Sequence, residues 1–283
     1  MEAQVFTSRF VKVLPSVYKA KAAFLDVFGD MQAVDGVSET EVAMQVKVND
    51  LPTVIGQYST DPNVAFGTGT AKSSRFGEMQ EIIYQNKSVP FDLPWAIHKG
   101  LDQFTVNADM DTAVADALRD ITEARIREVN RVQGAYLVAH AGKDLGAATD
   151  VVALFEKADI EMTELEVDAP LVAFVSAKVY NAIIDSNLAT TAKQSGVNVD
   201  ANTIVEFKGF KIVKVPSAYL GGKEVIFAPA GVGREFVGLE VLRTLEGRDF
   251  VGVILQGAGK GGRYISDANF KAVMTAGTAA SSN

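Results

Sequence analysis

The apolar positions of this chain change period along its length, and each period predicts an element. Val42, Met44, Val46 and Val48 alternate with Ala43, Gln45 and Lys47, the period-two pattern of a half-buried strand. A second extended stretch, "MQEIIYQNKSVPF", begins at Met79, where Ile82, Ile83 and Tyr84 favour a strand. Between them, residues 56–75 are 20 positions rich in Gly, Thr, Ser, Asp and Pro. Loops of that length in a folded chain are functional or disordered. Two strands with such a tip predict a protruding hairpin that grips another subunit or stays mobile.

From Asp109 to Ala141 the period lengthens to that of a helix, over 33 residues without proline. Val114, Leu118, Ile121, Val129, Val132 and Tyr136 fall on one predicted face, and Arg119, Glu123, Arg127 and Arg131 occupy much of the rest. Asn107 or Asp109 caps the start, and Asp111 suits the positive end of the helix dipole. Gly142 ends it. At about 1.5 Å per residue this helix spans roughly 50 Å, a strut rather than an ordinary three-turn helix. Gly134 inside it marks a bend or a close contact and costs about 1 kcal/mol against Ala.

The remainder reads as mixed α and β. Thr149 or Asp150 caps a helix carrying Val151, Leu154, Phe155 and Ala158. "APLVAFVSAKVYNAIIDS" predicts a buried strand over Leu171–Val175, then a helix capped by Ser176 with Val179, Tyr180, Ile183 and Ile184 inward. "NLATTAKQSGVNVDANT" reads as a surface loop. "IVEF", "FKIVKVP", "EVIFAP" and "FVGVILQ" read as short strands, and "AGTAASSN" as a frayed tail. Residues 1–40 show little period and predict an extended arm with one short helix around Tyr18–Phe28.

With 283 residues, 48% of them hydrophobic, the chain can bury a large core. It has no Cys and two His, His98 and His140, which excludes disulfides, thiolate metal sites and a three-histidine metal site. No signal peptide or apolar run long enough to span a membrane is present, so a cytoplasmic site of synthesis is expected. The net charge of −8 argues against a dedicated nucleic-acid binder. The first 25 residues are the exception, with Arg9, Lys12, Lys19 and Lys21 against Glu2.

The stretch "VAFGTGTAKSSRFGE" invites comparison with a phosphate-binding loop and fails it. Ala71 precedes Lys72 where Gly is needed, and Phe66 takes the first glycine position. "LQGAGKGGRYIS" fails too, with Ile254 at the first glycine and Gly261 at the Ser/Thr. No nucleophile elbow occurs in "GVGREF" or "VPSAY". The acids of "DMD" fit helix-capping better than Mg²⁺ ligation, and both histidines fit structural roles. No catalytic residue, cofactor site or metal site is assigned; the chain is expected to be non-enzymatic.

The order of elements resembles the major capsid proteins of tailed bacteriophages, the Hong Kong 97 fold. "VPFDLPWAIHKGLDQFTVNADMDTAVADALRDITEARIREVN" is similar to that family's passage from hairpin to spine helix. "APLVAFVSAKVYNAIIDS", with Ser176 and Tyr180, resembles its strand–helix unit. "GFKIVKVPSAYLGGKEVIFAPAGV" and "FVGVILQGAGKGGRYISDAN" are similar to its later strands. The resemblance implies an α+β fold with an N-arm (1–40), an extended E-loop hairpin (41–91), a peripheral domain with the spine helix (92–145 and 241–283) and an axial domain (146–240). It implies subunit contacts in the E-loop at Asp61, Phe66, Gly67, Gly69, Lys72 and Arg75, with Gly67, Gly69 and Gly77 letting the tip bend, and in the N-arm at Arg9, Lys12, Lys19 and Lys21.

It further implies pentamers and hexamers closing an icosahedral head around double-stranded DNA, bound without sequence specificity, assembled in the host cytoplasm without a membrane. A portal protein, a separate scaffolding protein (the arm begins at Met1) and a decoration protein are the implied partners. Isopeptide cross-links are not expected: Lys72, Lys47 and Lys87 all remain open as donors and no acceptor Asn is assigned. The alternatives are an encapsulin-type cargo compartment on the same fold and, more remotely, a small-molecule-binding or enzymatic α/β protein.

Overall fold

A computed structural model describes residues 21–33, 42–48, 53, 55–61, 64, 74–77, 79, 81–106, 109–186, 197–198 and 203–278. The chain divides into two compact units, residues 38–91 and the remainder.

The larger unit runs in the order α1 (Leu25–Phe28), β1 (Gln32–Ala33), β4 (Leu93–Asp102), α2 (Gln103–Val106), α3 (Met110–Ala139), β5 (Lys143–Asp144), α4 (Val151–Glu164), β6 (Leu171–Val175) and α5 (Ala177–Asp185). It continues with β7 (Val197–Asn198), β8 (Thr203–Ile204), β9 (Glu206–Phe207), β10 (Phe210–Lys214), a 3-10 turn (Ser217–Tyr219), β11 (Val225–Pro229), β12 (Gly233–Glu246), β13 (Gly252–Ile265), α6 (Asp267–Phe270) and β14 (Met274–Ala276). Strands β2 (Val42–Val48) and β3 (Gln85–Pro90) form the smaller unit's antiparallel pair.

Two sheets organise the larger unit. One is six-stranded, in the order β5-β14-β11-β6-β10-β9. β6 lies inside it, parallel to β10 and antiparallel to β11, and both its faces are covered, which is why "LVAFV" reads as a continuous apolar run. Ala173 and Val175 join α4 and α5 in one core with Phe155, Met162 and Ile183. Val172 and Phe174 join the other, with Phe24, Val27 and Phe28 of the arm and Leu137 of α3. Phe155 sits edge-on to Phe207, Phe210 and Phe227, with ring centres 5.0–5.6 Å apart. The helices start where their caps dictate: Asp109, Asp150 and Ser176 accept from the backbone N–H of Thr112, Ala153 and Val179.

The second sheet has the order β1-β12-β13-β4. Its two 14-residue strands, β12 and β13, pair antiparallel around the turn 247–251. Sequence reasoning found only the first part of β13 and neither β12 nor β4. Five glycines in β13 dilute its pattern: at Gly257 a Cβ would lie 2.9 Å from Leu242 and 3.1 Å from Trp95, so the missing side chain is what lets neighbours close in. The expected limit between axial and peripheral portions at 240/241 falls inside β12, and β14, expected in the peripheral portion, pairs with β11 of the six-stranded sheet.

Four expectations about single elements are corrected. The strand expected from Met79 begins at Gln85; Ile82, Ile83 and Tyr84 precede it and are exposed. Ala276, expected in a frayed tail, is fully buried in β14, and Gly277 N–H donates to Gly146 O. The predicted inward face of α3 is only half right. Ile121 is buried, but Val114, Leu118, Val129, Val132 and Tyr136 are half-buried, and the buried stripe is Ala113, Asp116, Asn130, Gln133, Gly134 and Leu137. A helix approached this closely needs small side chains, or polar ones with partners, at the contact. Part of the loop expected over "NLATTAKQSGVNVDANT" is the short antiparallel pair β7–β8.

Candidate functional site

Residues 38–91 form a pair of strands with almost no interior. Val89 is the single buried residue among those described there. Ile55 (94% exposed), Met79 (97%) and Phe76 (82%) are nearly bare, and Tyr58, Ile82, Ile83 and Tyr84 are exposed as well. Two strands bury too little to be stable on such terms in water, and clustered bare apolar side chains mark a surface that takes a partner.

The segments 55–61 and 74–77 nonetheless hold each other. Ser59 N–H donates to Arg75 O at 2.9 Å, and Tyr58 meets Phe76 edge-on at 5.1 Å. Gly77 takes φ +83°, a left-handed conformation that glycine adopts without strain. Of the expected E-loop contacts, Asp61 is exposed and Arg75 half-buried in this paired region. Phe66, Gly67, Gly69 and Lys72 lie outside the described residues, as do Arg9, Lys12 and Lys19 of the arm.

Lys21 is described, and what holds it is its backbone. Asn130, buried in α3, donates from Nδ2 to Lys21 O (2.7 Å) and accepts the Ala23 N–H on Oδ1 (2.8 Å). This two-way clasp ties the arm to the long helix. Sequence reasoning missed it, since one Asn on a helix carries no distinguishing pattern.

A charged network joins α3 to the four-stranded sheet. Gln133 Nε2 donates to Glu235 Oε2 at 2.8 Å, and burial pushes the Glu235 carboxyl above its usual range, with Arg263 and Arg125 pulling it back. Arg263 donates to Asp92 at 2.9 Å and lies over the Tyr136 ring. Burial likewise raises the Tyr136 phenol. Arg125 stacks on Trp95, the only Trp of the chain, 4.7 Å from the ring centre. Glu235 and Arg263 are both buried, so a charge lost from this network strands its partner in a poor solvent for ions.

Among the described residues, chemically reactive groups do not converge. An open cleft of roughly 670 Å³ is bordered by Asp144, Lys178 and Glu224, but Lys178 pairs with Glu224 (2.7 Å) and Asp144 with Lys223 (2.5 Å). His140 stacks on Phe270 at 4.8 Å, and His98 is exposed beside Gln256. Asp109, from "DMD", caps α3. Among the described residues no group of three or more His, Asp or Glu is placed to hold a metal, and none of the helices is long and apolar enough to cross a membrane. The arrangement offers surfaces for association.

No family model and no curated protein matches the chain. Solved structures do. One from Mycobacterium phage Che8 is similar with a TM-score of 0.64 and 16% identity, covering 98% of each chain. The bacteriophage PhiM1 mature capsid gives a TM-score of 0.66 at 11% identity, over 98% of this chain and 92% of that one. A virus-like particle from Pyrococcus furiosus gives 0.52 at 12% identity, over 91% and 92%. The likeness extends over nearly the whole chain and shows the fold: an α+β, Hong Kong 97-like capsid fold.

Proposed function

We propose that this chain is the structural major capsid protein of a tailed bacteriophage, a non-enzymatic subunit that self-assembles into pentamers and hexamers and closes an icosahedral head around double-stranded DNA. The observation that carries this is the unit 38–91, a capsid-fold hairpin that exposes Ile55, Tyr58, Phe76, Met79, Ile82, Ile83 and Tyr84 and, among its described residues, buries only Val89. Laid over a neighbouring subunit, those side chains leave water, and each fully buried one contributes about 1.5–3 kcal/mol before ordering costs. In this reading residues 1–40 are the N-arm, 41–91 the E-loop and α3 the spine helix of a peripheral domain, with an axial domain built on the six-stranded sheet. Asp61 and Arg75 belong to the E-loop contact, and Lys21 to the arm. A scaffolding protein, a portal and a decoration protein are the partners expected of such a shell. The net charge of −8 suits a wall that does not adhere to packaged DNA.

The test is negative-stain electron microscopy of the purified protein, alone and with its scaffolding protein. Closed shells or free pentamers and hexamers are expected. A subunit that stays monomeric in both conditions would overturn the reading, and shells enclosing a protein cargo in place of DNA would favour the compartment alternative.

A further inference from the structure

Where the arm meets α3 it leaves a cavity of roughly 220 Å³ that the hairpin argument does not use. Its walls come from three elements: the arm around α1, one side of α3, and β12. Leu25 and Met31 of the arm and Ile126 and Val129 of α3 make it apolar, and Leu25 and Met31 are still 51% and 45% exposed. Glu235 lines the same cavity and is only 9% exposed. A carboxylate can accept about four hydrogen bonds; among the described residues this one receives a single bond, from Gln133 to Oε2. The two arginines near it are engaged elsewhere, Arg263 with Asp92 and Arg125 on the Trp95 ring, and they do not cancel the cost of its burial. Asp30 adds a second, exposed carboxylate to the lining. Among the charged residues that border the cavity, two acids therefore face one Arg.

We propose that this cavity binds a small organic ammonium ion with an apolar body, its N–H groups donating to the Glu235 carboxylate and its hydrocarbon part lying among Leu25, Met31, Ile126 and Val129. Size sets the scale of the ligand. Drug-sized molecules occupy roughly 300–1,000 Å³, so this cavity takes a fragment. Charge sets the class. An anion would add to Glu235 and Asp30, and a purely apolar guest would leave the buried carboxylate as poorly bonded as before. An ammonium ion supplies both the missing donors and the missing positive charge. Bound there, it touches arm, helix and sheet together, and so holds the arm on α3 beside the Asn130 clasp. The site goes beyond the shell reading and does not depend on it.

Benzylamine is the probe, and benzyl alcohol, of nearly the same shape, is the neutral control. Both are titrated against the full chain at neutral pH and followed by ligand-observed NMR. Benzylamine is expected to bind with a dissociation constant of about 1 mM, as suits a ligand of about eight heavy atoms. Benzyl alcohol should bind about tenfold more weakly, because it lacks the charge-assisted bond. Glu235→Gln keeps an acceptor for Gln133, so the variant should fold; it should weaken benzylamine about tenfold and leave benzyl alcohol nearly unchanged. Ala22→Trp is placed at an exposed position that borders the cavity and should block both probes without disturbing the core. Equal affinity for the two probes, or undiminished benzylamine binding by both variants, would overturn the proposal. So would the absence of saturable binding up to about 20 mM benzylamine. Shell formation is not read in any of these titrations, so their failure leaves the capsid reading as it stands.

Discussion

Gly134→Ala pits two well-calibrated effects against each other, and the structure decides the sign. In an exposed helix interior the substitution stabilises by about 1 kcal/mol, because Ala restricts the unfolded chain and Gly does not. Here a Cβ at position 134 would stand 1.6 Å from the carbonyl oxygen of Tyr219 and 3.1 Å from the ring of Phe24. Relief requires the helix and the Tyr219 backbone to separate by roughly 1.5 Å or more, since an ordinary carbon–oxygen contact is well beyond 3 Å. The turn cannot easily retreat. Tyr219 N–H is bonded to Pro216 O, the next residue Leu220 is fully buried, and the site of a Cβ on Gly221 is itself only 3.1–3.2 Å from α3 atoms. Overpacking against side chains costs about 1–3 kcal/mol, and against backbone it falls at the upper end or beyond. Net of the helix gain, a loss of about 2 kcal/mol or more follows, a fall in melting temperature of roughly 4–8 °C for a domain this size. The assay is a urea titration of the unassembled subunit, followed through Trp95, which packs on α3 through Arg125. An unchanged or raised midpoint would show that helix propensity wins and that Tyr219 does not press on Gly134.

Glu235→Gln keeps an acceptor for Gln133 while removing a carboxyl that burial holds above its usual range of about 4.5. A carboxyl raised in the folded state binds protons more tightly there than in the unfolded chain, so its contribution is full below the ordinary value and is lost as pH rises through the folded one. The melting temperature of the variant relative to wild type should therefore climb from pH 4 towards neutrality; parallel curves would contradict the assignment. Phe155→Ala removes the ring that three other phenylalanines meet edge-on and should cost about 3–5 kcal/mol in a urea titration. A loss under about 1 kcal/mol would mean that this cluster is not the core of the six-stranded sheet.

How legible the fold was depended on whether a residue's role is local. Ser176 caps the helix it was expected to cap, and of the pairs Asn107 or Asp109 and Thr149 or Asp150 it is Asp109 and Asp150 that cap theirs, because a cap bonds to a backbone group three positions away. Leu171–Val175 appears with the expected bounds, since a strand buried on both faces leaves an unbroken apolar run between turn residues. The β12–β13 pair was harder to see. Its strands run through Gly233, Gly238, Gly252, Gly257, Gly259, Gly261 and Gly262, and what makes them strands is a register extending from Gly233–Ile265 to Glu246–Val253, a non-local fact. The buried stripe of α3 was misread for a related reason. Asn130 and Gln133 look like solvent-facing residues until the Lys21 and Ala23 backbone and the Glu235 carboxylate are in place to satisfy them.

The candidate site follows the same division. A polar tip of 20 residues between two strands announces a hairpin, and the β2–β3 pair is there. The individual contacts expected there were three charged residues, two glycines and Phe66, whereas the described surface is dominated by Ile55, Tyr58, Phe76, Met79, Ile82, Ile83 and Tyr84. In sequence Ile82, Ile83 and Tyr84 favour a strand, and Tyr58 falls within the polar tip. Their exposure is visible only in the folded structure. In the proposed shell that bare apolar area is what a neighbouring subunit covers. The hairpin offers a large apolar area but depends on its neighbour for an interior, so docking must offset the entropy of ordering it.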